Sequence, residues 1–187
     1  MPHDPYTLPT DLPAPVDDGA AAHLEGAEVP PLSLESSCGP VDLAELCGER
    51  GVVYVYPRTG RPGVPAPDGW DAFPGARGCT PQSCAFRDHA GELARLGARV
   101  AGVSTQTLAE QVAFAERNHM PFPVLADPRL ELRAALALPT FDYGGATLYK
   151  RLAWVAEHGR IVKVFYPVFP PDRNAQDVLD WLTERSD

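Results

Sequence analysis

Val52-Val53-Tyr54-Val55-Tyr56-Pro57 is the stretch that decides the fold. An unbroken β-branched and aromatic run ended by proline reads as a buried strand. The loop Arg58 to Gly78 that follows is rich in proline and glycine and long for a compact domain; ordered loops of that length are often functional. Beyond it, Phe86, Ala90, Leu93 and Leu96 recur at helical spacing, on a helix expected to start near Pro81. Arg99 to Ser104 reads as the next strand. Thr107 with Glu110 has the form of a capping box, and Leu108, Val112 and Ala115 give the second helix its apolar face. Phe122 to Leu125 is a short strand, and Asp127-Pro128 opens a third helix with a cap and a first-turn proline. Leu152 to Ala156 and Ile161 to Tyr166 form a hairpin through Glu157-His158-Gly159, after which Asn174 is expected to cap a terminal helix carrying Val178, Leu179 and Leu182. This alternation predicts an α/β fold with helices on both faces of a central sheet.

Length and composition agree. The 187 residues suit one domain with an irregular terminus, and an apolar fraction of 44% is that of a globular chain. Residues 1–30 alternate proline, acid and alanine without period and are expected to wrap over the surface or stay partly disordered, leaving 31–187 as the domain. A net charge of −9 argues against nucleic acid and anionic membrane partners, which call for basic surfaces. There is no apolar run long enough to span a bilayer and no secretory leader pattern, so the expected compartment is the cytoplasm. Four cysteines in such a chain point to reactive thiols rather than a disulfide scaffold.

The chemistry concentrates in Cys79-Thr80-Pro81-Gln82-Ser83-Cys84. With Pro81 in the first helical turn and Thr80 as cap, Cys79 lies at the positive end of a helix dipole, near Arg77 and Arg87 in sequence. Both influences favour thiolate over thiol and mark Cys79 as the candidate nucleophile. In continuous helix the Cα atoms of Cys79 and Cys84 would be roughly 8 Å apart, beyond the ~7 Å a disulfide spans. The pair joins only if this turn unwinds, which suits an attacking and a resolving cysteine. A zinc site using Cys79, Cys84 and His89 would need a distant fourth ligand and lacks the usual Cys-x-x-Cys knuckle. An iron–sulfur site would want cysteine where Arg87 stands.

These segments together resemble the peroxiredoxins, in the branch of peroxiredoxin Q and the bacterioferritin comigratory proteins, over most of residues 30–187. The resemblance rests on Tyr56-Pro57, Gly78-Cys79-Thr80, Cys84-Ala85-Phe86-Arg87-Asp88, Pro121-Phe122-Pro123-Val124-Leu125-Ala126-Asp127, and Arg151 ahead of the Leu152 strand. It implies a thioredoxin-like fold, no cofactor, and a thiol-dependent peroxidase in which Cys79 forms a sulfenic acid and Cys84 condenses with it to a disulfide. Thioredoxin or a glutaredoxin-like protein would reduce that disulfide, and the chain would be a monomer or weak homodimer. Arg151 would hold the thiolate and polarise the peroxide. A non-enzymatic redox sensor is the alternative; a thioredoxin-type oxidoreductase would want Cys-x-x-Cys.

The chain departs from the family pattern before Cys79. Where the family carries threonine or serine three residues before the attacking cysteine there is Ala76, and the spacing from Pro57 is expanded by the loop. Thr59 is expected to fold back and supply the missing hydroxyl, or else to be a turn threonine beside Gly60. Trp70 and Phe73 are read as pins holding the loop to the domain, or else as walls of the pocket mouth favouring bulkier organic hydroperoxides. Cys38 and Cys47 are read as buried cysteines, with a second redox pair as the alternative. His89 and His158 are read as a helix-face and a turn residue.

Overall fold

The computed structural model describes residues 4–186. Residues 1–3 of the expected extension, and residue 187 at the end of the expected domain, lie outside them. The chain runs through a short ladder of β1 (Ser33–Leu34) and β2 (Val41–Asp42), one turn of helix α1 (Leu43–Leu46), and then β3 (Arg50–Val55). Helices α2 (Cys79–Asp88) and α3 (Ala90–Arg95), strand β4 (Arg99–Ser104), α4 (Leu108–Asn118), β5 (Val124–Ala126) and α5 (Glu131–Leu136) follow. The last third holds a hairpin of β6 (Thr140–Tyr143) and β7 (Ala146–Tyr149), a second of β8 (Leu152–Glu157) and β9 (Arg160–Phe165), a 3₁₀ turn at Pro171–Arg173, and α6 (Asn174–Glu184).

The central sheet has the order β5-β4-β3-β8-β9. Strand β3 runs parallel to β4 and antiparallel to β8, so the sheet is mixed and the decisive strand lies at its middle. Side chains alternate across the pleat. Val53 and Val55 face a core with Leu43, Leu132 and Trp154, whereas Val52, Tyr54 and Tyr56 face one with Phe86, Phe114 and Val178 from α2, α4 and α6. That two-sided burial is why the run shows no polar alternation. Tyr54 also stacks on Phe86 at 4.4 Å between ring centroids, which fixes α2 over the sheet.

Several local expectations need correction. The helix expected from Pro81 through Leu96 is two helices, with His89 closing α2 and leading into α3. Helix α2 starts at Cys79 after Gly78 in the left-handed region (φ 109°), and no side chain caps it. Thr80 is therefore inside the helix, its buried hydroxyl without a hydrogen-bond partner among the described residues. A Cβ on Gly78 would lie 2.2 Å from Pro171 Cγ, so glycine is required both for φ and for the approach of the 3₁₀ turn. Asn174 does not cap α6 but is its first residue, and its amide oxygen accepts from Gln82. Asp127 does serve α5, accepting from the N–H groups of Glu131 and Leu132, although that helix begins later than expected. The Thr107–Glu110 capping box is present. The β6–β7 hairpin, turned by Gly144 and Gly145 at positive φ, was not anticipated.

The N-terminal segment packs on the domain. Leu24 and Val29 are buried in the core beside Leu43 and Ile161, so core packing begins ahead of residue 30. Nearer the terminus, Asp18 bonds Lys150 and Tyr166, which hold its carboxyl well below the usual range. No described helix is long and apolar enough to cross a membrane.

Candidate active site

Cys79 stands at the first residue of α2, beyond the carboxyl end of β3, and its side chain is 2% exposed at the floor of a cavity of about 280 Å³. Two donors converge on its sulfur: the backbone N–H of Arg58 at 3.3 Å and Arg151 Nη2 at 3.2 Å. The thiol in turn reaches the Ala76 carbonyl at 3.7 Å. The expected arginine neighbours do not supply these contacts. Arg77 is bound to Asp71 and to the carbonyls of Asp4 and Thr7, and Arg87 to Asp88 and the carbonyl of Asn118. Sequence proximity placed them near Cys79, but the helix start turns both guanidiniums elsewhere.

Arg151 comes from the residue ahead of β8, next to β3 in the sheet, and is 4% exposed. Besides Cys79 it donates to Gln82 Oε1 (2.6 Å) and to the carbonyls of Gly75, Ala76 and Arg77 (3.0 to 3.2 Å). One fixed fork thus ties the end of the loop, the first turn of α2 and the sulfur together. Gln82 relays the arrangement onward, its Nε2 donating to Asn174 Oδ1 at 2.9 Å. Reading by residue type passed over Gln82 and Gln106 and took Asn174 only as a helix cap. For Gln82 the usable signal was a polar side chain on the buried side of a helix, since buried amides need partners.

The loop Arg58 to Gly78 is held down rather than loose. Phe73 stacks on Phe141 (centroids 4.5 Å) and Trp70 meets Tyr143 edge-on (5.1 Å), so the unanticipated hairpin is the surface to which the loop is pinned. Tyr143 also donates to the carbonyl of Asp68. Trp70 has a second face on the cavity, so pinning and lining both describe it. Thr59 lines the same cavity as Cys79, is buried, and donates through both N–H and Oγ1 to Gln106 Oε1 (2.9 and 3.1 Å). Ala76 is buried in the apolar cluster that the loop shares with the β6–β7 hairpin.

Cys84 shares α2 with Cys79 but sits on another side of it, its thiol weakly bonded to Asn118 Oδ1 at 3.8 Å. Burial pushes that thiol up from its usual value, which favours its protonated form. All four cysteines are free. Cys47 is buried as expected, with desolvation pushing it up to about 11, but Cys38 is exposed beside Ser37, contrary to the expectation of burial. Cys79, Cys84 and His89 are not brought together: among the described residues no cluster of three or more His, Cys, Asp or Glu could hold a metal, and His89 pairs with Glu92.

Comparison with known proteins agrees with this geometry. The redoxin family profile matches residues 24–179. Chloroplastic peroxiredoxin Q of Sedum lineare is 31% identical over 160 residues, which is 84% of this chain and 77% of that protein. That of Gentiana triflora is 30% identical over 181 residues, 93% and 76% respectively. The crystal structure of peroxidoxin BcpB from Mycobacterium tuberculosis superposes with a TM-score of 0.67 at 25% identity, covering 86% of this chain and 96% of that one. Xanthomonas campestris peroxiredoxin Q has the same fold, with a TM-score of 0.64 at 22% identity over 95% of this chain and all (100%) of its own. A mixed sheet with a buried thiol opening a helix beyond its central strand, an arginine from just ahead of the neighbouring strand on that thiol, and these relatives give one conclusion: the chain belongs to the redoxin family, in its peroxiredoxin Q branch, a family of thiol-dependent peroxidases.

Proposed function

We propose that this peroxiredoxin reduces hydrogen peroxide and organic hydroperoxides with Cys79 as the attacking thiolate and Cys84 as the resolving thiol. The observation that carries the reading is the pair of donors, Arg58 N–H and Arg151 Nη2, aimed at a single buried sulfur that opens on a cavity. The Cys79 thiolate attacks one peroxide oxygen, the O–O bond breaks, and the departing oxygen leaves as water or an alcohol after taking up a proton. Arg151 stabilises the charge shared between sulfur and leaving oxygen as the bond breaks. Cys84 then attacks the sulfenic acid, forming a disulfide and releasing water.

That second step requires α2 to open, because both cysteines lie in one continuous helix and the span of roughly 8 Å exceeds disulfide reach. The Cys79–Cys84 disulfide would be reduced by exchange with a thioredoxin or glutaredoxin-like dithiol. The acidic surface, net charge −9, fits protein and small-molecule partners rather than nucleic acid or an anionic membrane, and we propose a monomer or weak homodimer. Exposed, free Cys38 fits a reducing compartment such as the cytoplasm.

The test is intact mass after one equivalent of peroxide. The wild type should lose two hydrogens, whereas Cys84→Ser should stop one oxygen heavier. A Cys84→Ser protein that still forms the intramolecular disulfide would overturn the assignment of Cys84. Stoichiometric oxidation with no turnover on any dithiol would favour the sensor reading instead.

Thr59 has a proposed role as the hydroxyl that orients the peroxide in place of Ala76. Its hydrogen is given to Gln106 Oε1, which leaves its lone pairs to accept from the peroxide O–H. Thr59→Val should lower kcat/KM for hydrogen peroxide by roughly tenfold, the loss of one transition-state hydrogen bond of about 1.4 kcal/mol. Gln106 keeps the Ser104 hydroxyl as a partner, so the melting temperature should change little. Unchanged steady-state turnover would remove Thr59 from the site.

A further inference from the structure

We infer that the cavity over Cys79 selects organic hydroperoxides that carry a carboxylate away from the O–O bond, and that Arg61 and Arg117 read that charge. This rests on the peroxidase reading above and adds the class of substrate. The cavity measures about 280 Å³. A water-sized molecule needs only about 10–15 Å³ of such space, so hydrogen peroxide leaves most of it unfilled. Val64, Pro65 and Trp70 give part of the lining an apolar surface suited to a hydrocarbon body.

The charge of the lining runs against that of the chain. With 25 acidic against 16 basic residues, an average stretch of surface should be acidic. Around this cavity stand Arg58, Arg61, Arg77 and Arg117 against one carboxylate, Glu110. That carboxylate is occupied, accepting from the Thr107 N–H and hydroxyl in the capping box. Arg77 is balanced by Asp71. Arg61 enters no salt bridge among the described residues, and neither does Arg117. Arg117 lies over the Phe114 ring at 5.7 Å and gives one long bond, 3.4 Å, to the carbonyl of Gly60, the residue before Arg61. Its buried Nε has no hydrogen-bond partner among the described residues. Three guanidiniums of the lining, those of Arg58, Arg61 and Arg117, thus enter no salt bridge among the described residues, and Arg61 and Arg117 stand together at the Gly60 bend of the loop. A planar fork of donors is the geometry that a carboxylate accepts.

The experiment compares kcat/KM for cumene hydroperoxide and for the same molecule with a para-carboxylate, 4-(2-hydroperoxypropan-2-yl)benzoate, with hydrogen peroxide run alongside. In the wild type the carboxylate should be preferred by roughly fivefold, the scale of a partly screened ion pair. The preference should narrow as ionic strength rises. In Arg61→Gln/Arg117→Gln the ratio should fall to about one, and because it is taken within one protein, it does not depend on the fraction folded. A wild-type ratio at or below one, or a ratio kept by the double variant, overturns the inference while turnover of hydrogen peroxide upholds the peroxidase. Absence of turnover on all three substrates overturns both.

Discussion

Cys79→Ser is expected to abolish peroxide turnover, a fall of roughly 10⁴-fold or more, in the range seen when a nucleophile is removed. Serine retains the geometry of the site. Its hydroxyl can accept from Arg58 N–H and Arg151 Nη2, as the sulfur does now, and donate to the Ala76 carbonyl. What it lacks is the intrinsic nucleophilicity of sulfur toward the O–O bond. The side chain is nearly the same size and lies in the core beside Tyr54 and Tyr56, so the fold should persist. Steady-state consumption of hydrogen peroxide with a thioredoxin reducing system measures the effect, and circular dichroism checks the fold. Activity within tenfold of the wild type would show that another thiol carries the chemistry, and exposed Cys38 would be the first to test.

Arg151→Lys should lower kcat/KM by roughly 10² to 10³, the usual consequence of removing a donor aimed at developing charge. The substitution preserves the positive charge and so separates charge from shape. The Arg151 guanidinium serves the sulfur, Gln82 and the carbonyls of Gly75, Ala76 and Arg77 from one rigid plane. Lysine has three donors on a flexible stem and cannot reach all of these acceptors at once. Buried acceptors left without a partner cost about 1–3 kcal/mol each, so the variant should also melt earlier. The loss of kcat/KM should remain well below the melting transition, which distinguishes a chemical role from a structural one. Turnover within twofold of the wild type would show that Arg151 is only a brace for the loop.

Strand β3, the sheet around it and the β8–β9 hairpin were legible because each rests on a short apolar run bounded by its own proline or turn. The Thr107–Glu110 capping box and the Asp127 turn are of the same local kind. Helix starts were read less well. Thr80 and Asn174 have the side chains of caps, yet the path of the backbone into each helix, set by Gly78 in one case and the 3₁₀ turn in the other, puts both inside it. The β6–β7 hairpin carried a Gly144-Gly145 turn signal, but its short strands lie outside the main sheet and lack a long apolar run.

The sequence by itself determined the fold class and which thiols and which arginine to examine, because periodicity, cysteine spacing and the family motifs are properties of the chain order. Tertiary structure alone decided that Arg151, and neither Arg77 nor Arg87, meets the Cys79 sulfur. It also decided that Gln82 joins Arg151 to Asn174, and that the loop lies against the β6–β7 hairpin with Thr59 on the cavity. The physical reason is range. Caps, turns and apolar periods act over a few residues, whereas Cys79 and Arg151 are 72 residues apart in the chain and meet only because β3 pairs with β8.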